Sequence, residues 1–100
     1  MKITIAEFAE LDLAGRRFRA REGRRRLRGV VRASNVCGDL VTIAVGDVEV
    51  QDGSAWTAFA DFDYAGREEI TSIRRQADGA LSISILYIGA IEIFPVAPAG

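Results

Sequence analysis

Two periods divide the chain. Between Thr4 and Asp12 the apolar residues Ile5, Phe8, Ala9 and Leu11 recur at helical spacing. Thr4-Ile5-Ala6-Glu7 fits a capping box, in which the threonine hydroxyl and the glutamate carboxylate each accept a backbone N–H that the first helical turn leaves unpaired. Gly15 can stop the helix. The pattern predicts a short helix over 5–13. The rival is a strand MKITIAEF, in which Ile3 and Ile5 alternate.

Beyond Gly15 the period becomes two. Turn-forming residues at Gly23, Asn35, Gly38, Gly46-Asp47, Asp52-Gly53, Gly66, Asp78-Gly79 and Gly89 separate β-rich runs over 16–22, 24–34, 39–50, 54–64, 68–75, 80–88 and 90–96. No interval is long enough for a parallel crossover. The expected fold is therefore α+β and mostly antiparallel: one short N-terminal helix on a meander, roll or small barrel of six to seven short strands. Residues 1–96 read as a single domain and 97–100 as a loose tail.

Alternation assigns the faces. Trp56, Ala58, Ala60, Phe62 and Tyr64 share one side of the fourth run and are expected in the core. Leu81, Ile83, Ile85 and Tyr87 share a side opposite Ser82 and Ser84. Past Ser84 both sides are apolar, so that segment needs cover from the helix or from another subunit. Leu86, Ile88, Ile91, Ile93 and Phe94 are the expected interface of a homo-oligomer, at least a dimer. Pro95 suggests an edge strand at the end.

The first two runs make a hairpin with an unusual outer face. Residues 16–32 hold nine arginines. A turn centred on Glu22-Gly23 pairs Arg21 with Arg24, Arg19 with Arg26 and Arg17 with Arg28. Phe18, Ala20, Leu27, Val31 and Ala33 then point in, while Arg17, Arg19, Arg21, Arg24, Arg26, Arg28 and Arg32 point out. A slip of one residue would bury the arginines, so parity is strongly specified. Like charges directly opposite each other destabilise a hairpin by of order 1 kcal/mol per pair in water. That face needs negative charge from somewhere.

Charge balance bears on the source. Net charge is −1, yet residues 16–32 carry +8 and the remainder −9. The chain is polarised rather than basic, unlike most dedicated nucleic-acid domains. Asp61, Asp63, Glu68 and Glu69 are the candidate counter-charges, with Asp47 and Glu49 also nearby in sequence. The first functional reading is a small non-enzymatic interaction protein whose arginine face meets acidic protein surface. The alternative is sequence-insensitive binding to a nucleic-acid phosphate backbone. Single-strand binders place aromatics on the charged face, and alternation puts Phe18 and Trp56 on the inward side.

Candidate chemistry is sparse. The chain has no histidine, which removes the commonest general base and most zinc sites. Cys37 stands alone near a turn and reads as a small buried residue. Asp61 and Asp63, two apart on one strand face, form a weak candidate for paired carboxylates. No phosphate-binding glycine loop opens a helix. Neither cofactor nor metal is expected, and an enzyme or small-ligand carrier with a pocket between helix and sheet is the third reading. Glu7, Glu10 and Asp12 interrupt any leader-like apolar run, no stretch is long enough to span a membrane, and one cysteine suits a reducing compartment. The expected location is the cytoplasm.

Overall fold

The computed structural model describes residues 1–86 and 88–96. Helix α1 spans Ile5–Ala9 and buries Phe8. Its capping box is complete: the Glu7 N–H donates to Thr4 Oγ1 and the Thr4 N–H to Glu7 Oε1, both at 3.1 Å. The helix is shorter than the expected 5–13. Asp12 draws the Ala14 N–H to its own carboxylate at 3.2 Å, a local bond that competes with further helical turns. The rival strand reading holds for the first residues alone. Ile3 N–H donates to the Ile73 carbonyl at 2.9 Å and Arg75 N–H to the Met1 carbonyl at 2.7 Å.

Eight strands follow: β1 Arg17–Glu22, β2 Arg25–Cys37, β3 Leu40–Asp52, β4 Ala55–Ala58, β5 Phe62–Gly66, β6 Ile70–Arg75, β7 Leu81–Ile85 and β8 Gly89–Ile93. All pairings are antiparallel, in one open sheet of order β4-β3-β2-β1-β8-β7-β6, with β5 also on β3. The fold is thus a mostly antiparallel sheet with one short helix. The N-terminal residues lie along the free edge of β6. Residues 97–100, expected as a tail, and Tyr87 lie outside the described residues.

The extra strand comes from a break in the 54–64 run. β3 bends at Gly46-Asp47, where Asp47 takes φ 50°, and its two halves pair separately with β4 and β5. Side-chain parity reverses across Phe59-Ala60-Asp61. Phe62 and Tyr64 face the core as expected. Trp56 does not: it stands opposite Gln51, which stands opposite Arg26, and so belongs to the arginine side of the sheet. Ala58 and Ala60 are exposed.

The hairpin β1–β2 keeps the expected parity in a register shifted by two. Gly23 at φ 60° and Arg24 form the turn, the glycine-first arrangement whose twist suits a two-residue hairpin. The facing pairs are therefore Glu22–Arg25, Arg21–Arg26, Arg19–Arg28 and Phe18–Gly29. Two arginine pairs replace the three expected. Gly29 is required there, since a Cβ would lie 2.7 Å from the Gly46 carbonyl oxygen and 2.9 Å from the Phe18 ring. Further along, a bulge between Val31 and Ala33 turns Ala33 outward, against expectation, because one extra residue inverts the alternation.

The core lies on the opposite side from the arginines. Phe8, Leu13, Phe18, Leu27, Val31, Leu81, Ile83, Ile91 and Ile93 are all essentially inaccessible. Phe18 of β1 meets Tyr64 of β5 edge-on at 6.3 Å, so the sheet curls until strands three positions apart touch. The run 80–88 is not a strand apolar on both faces. β7 ends at Ile85, and Ile88 packs half-buried against the core from the turn before β8. Nor is β8 an edge: it lies between β1 and β7, and Pro95 follows its last ladder residue, where a missing N–H is harmless.

Candidate functional site

Two rows of side chains cross the outer face of the sheet. One runs Arg74, Ser82, Glu92, Arg19, Arg28, Glu49, Ala58 from β6 to β4. The next, two residues along each strand, runs Ser72, Ser84, Ala90, Arg21, Arg26, Gln51, Trp56. Both have an arginine pair at the centre, so Arg19, Arg21, Arg26 and Arg28 occupy the corners of a rectangle about 5 Å by 7 Å.

In the first row both arginines are fixed on two sides. Arg19 donates through Nε and Nη2 to Glu92 Oε2 at 3.0 and 2.7 Å, and its guanidinium lies 5.4 Å from the Phe94 ring centre. Arg28 donates through Nε to Glu49 Oε1 at 3.0 Å and stacks 3.9 Å over Trp56. Each set comprises a carboxylate, a guanidinium and an aromatic ring, one on either side of the β1–β2 seam. Exposed ion pairs contribute little singly, but stacking and a carboxylate together hold each guanidinium in one plane.

The second row has no such partners. Arg21 and Arg26 face each other, flanked by Ala90 and Gln51, and neither they nor Arg17 has a carboxylate within ion-pair distance among the described residues. All three line a groove of about 820 Å³, bounded by Trp56 on the β4 side and Phe94 on the β8 side.

The other arginines have different surroundings. Arg24 is exposed in the turn. Arg25 points to the core side, 3.3 Å from Glu22 and 5.9 Å from the Phe59 ring. Beneath them the Tyr64 hydroxyl is buried without a hydrogen bond of good geometry. Burial, and then the nearby Glu22 carboxylate, push its ionisation above the ordinary tyrosine range. Arg32 pairs with Asp47 at 2.9 Å. Arg16 is a staple, donating to the Phe94 carbonyl at 2.7 Å and the Gly79 carbonyl at 2.8 Å. Partial burial, then Arg75, lower its pKa.

Of the four expected counter-charges only Asp61 approaches the arginines, its carboxylate and the Arg32 side chain both lying against Gly46. Asp61, Asp63, Glu68 and Glu69 form no ion pair with the hairpin arginines among the described residues. Asp63 stands opposite Ala44 on β3. Glu69 accepts the Arg67 N–H at 2.8 Å, and that backbone bond holds its carboxyl below the usual range. The acids that meet the arginines are Glu92, Glu49, Asp47 and Glu22. Asp47 and Glu49 were among the nearby acids, and the signal for Glu92 was available: in Ile-Glu-Ile it alternates with core residues and must point outward.

The apolar C-terminal set is also divided. Ile91 and Ile93 belong to the intramolecular core, Ile88 is half-buried against it, Leu86 is exposed, and Phe94, at 37 % exposure, lies on the arginine face. Cys37, expected as buried, is exposed at the end of β2, where the long β2–β3 hairpin runs past the core. Among the described residues no cluster of histidine, cysteine, aspartate and glutamate is placed to hold a metal, and no helix is long and apolar enough to cross a membrane. Family models, curated proteins and solved structures give no match to this chain.

Proposed function

We propose that this protein is a non-enzymatic binding module whose outer sheet face receives an anionic chain. The observation that carries the reading is the Arg21–Arg26 pair. It lines a groove with Arg17, its flanking residues are uncharged, and its repulsion is unrelieved by any described carboxylate. Arginine forks bind carboxylate and phosphate with two parallel N–H···O bonds, so an anion between the two guanidinia converts a repulsive contact into an attractive one. The unpaired, exposed Cys37 supports placing the module in a reducing compartment such as the cytoplasm.

A second reading has the same face meeting acidic protein surface, including that of a second copy. Glu92 and Glu49 support it, because they show that carboxylates fit against these arginines.

The test is a titration of labelled polyphosphate, polyglutamate and single-stranded oligonucleotide at low salt against the wild type and Arg21→Gln/Arg26→Gln. The double variant removes charge without adding a clash. Binding of at least one polyanion, weakened about tenfold or more in the variant, is expected, with a melting temperature no lower than wild type. Failure of all three to bind overturns the reading.

A further inference from the structure

The chemistry flanking the groove identifies the anionic chain. Resting on the binding reading above, we infer that the partner is a single-stranded nucleic acid, with phosphates on Arg17, Arg21 and Arg26 and bases on the rings of Trp56 and Phe94.

Three observations favour this over an acidic peptide. First, the groove has an aromatic ring on each side, and both rings are presented on the charged face rather than in the core. A nucleobase stacks on such a ring whatever its sequence, whereas a glutamate or aspartate side chain has no flat face to offer it. Second, the rings are oriented in advance. Arg28 over Trp56 and Arg19 beside Phe94 are each held by a carboxylate. The stacked guanidinium planes offer further π surface to a base. Third, the arginines left for the phosphates lie between the rings, Arg21 and Arg26 about 5 Å apart across the strands and Arg17 about 13 Å from Arg21 along β1. That arrangement suits an extended backbone with its bases turned to either side.

A duplex keeps its bases stacked on each other and would leave both rings unused, so single strands are preferred over duplex of equal length. The contacts invoked are with phosphates and ring faces, which carry little base identity, so the preference among sequences is weak.

Trp56 is the sole tryptophan, so its fluorescence reports directly on the site. A twelve-nucleotide single strand, the corresponding duplex, polyphosphate and polyglutamate are titrated at about 50 mM salt, with binding followed by tryptophan emission and by anisotropy of labelled ligand. The expected result is tightest binding to the single strand, with quenched emission, and a slope of log affinity against log salt near −2 for three phosphate contacts at about −0.7 each. Trp56→Ala should weaken the single strand roughly five- to hundredfold and leave polyphosphate unchanged, while Trp56→Phe restores most of the loss. Should Trp56→Ala fail to fold, Phe94→Ala provides the same comparison. Polyglutamate or duplex binding as tightly as the single strand, or a single strand insensitive to both ring variants, overturns the nucleic-acid inference and leaves the anion-binding reading standing. If no polyanion binds at all, both fall.

Discussion

The Arg19–Arg28 and Arg21–Arg26 pairs lie on the same two strands, two residues apart, on the same face. They carry the same repulsion. What differs is the next strand on each side. Glu92 of β8 and Glu49 of β3 flank the first pair, and Ala90 and Gln51 flank the second. In one row a carboxylate on each outer strand flanks the arginine pair and closes a four-strand network that the molecule satisfies by itself. In the other a glutamine stands where a glutamate would neutralise the charge. A like-charge pair on a sheet is therefore not structural or functional by its own composition. Its role depends on the residues one strand further out, which are far away in sequence.

The strongest way to break this comparison is from beneath. Both rows depend on the hairpin register, and Phe18 lying over Gly29 holds that register from the core side. Gly29→Val forces a side chain against the Gly46 carbonyl and the Phe18 ring. Overpacking of this kind costs about 3 kcal/mol. The melting temperature should fall by more than about 10 °C, and the Trp56–Arg28 contact should loosen, visible as a shift in tryptophan emission. An unchanged melting temperature would show that Gly29 does not hold the register.

A smaller change converts one row into the other. Glu49→Gln with Glu92→Gln leaves Arg19 and Arg28 flanked as Arg21 and Arg26 are. Two exposed ion pairs are lost, together about 1 kcal/mol, or a drop of some 4–8 °C in a domain of this size. Polyanion affinity should rise at the same time, since the face gains net positive charge. Loss of stability without a gain in binding would mean that the two rows do not serve a common surface.

Much of the architecture was legible in the sequence. The switch of period at Gly15, the capping box and the turn residues locate α1 and most of the strands, because each depends on local chemistry. Parity on β1 and β2 was legible as well, since only one parity keeps Phe18 and Leu27 dry. Register was not. Shifts of two residues preserve parity, and the choice between a turn at Glu22-Gly23 and one at Gly23-Arg24 rests on glycine conformation and on the fit of Phe18 against Gly29. The site was obscured for a related reason. Trp56 shares a face with Tyr64 only as long as 54–64 is a continuous strand. The bend of β3 at Asp47 breaks that strand and moves the tryptophan to the charged side. Glu92 reaches Arg19 through a β1–β8 pairing between opposite ends of the chain, which no local pattern encodes.

The finest test separates the rows by sign. Arg19 and Arg26 look equivalent in the sequence, as outward arginines facing other arginines. Among the described residues Arg26 has no carboxylate to lose. Arg26→Glu places an acid opposite Arg21, two residues from Arg28 on its own strand and two from Arg24 in the turn, with only Gln51 on the other side. A repulsive cross-strand pair becomes an attractive one, a gain on the order of 0.5 kcal/mol after the more distant Glu49 is allowed for. The melting temperature should rise by about 2–4 °C, and the rise should shrink with added salt, because the gain is electrostatic at an exposed site. Polyanion binding should fall sharply in the same variant. Opposite movement of stability and binding is what an unneutralised binding pair requires, whereas a structural pair would lose both together. A lower melting temperature for Arg26→Glu would therefore show that the second row is neutralised as the first is, and would remove the distinction between them.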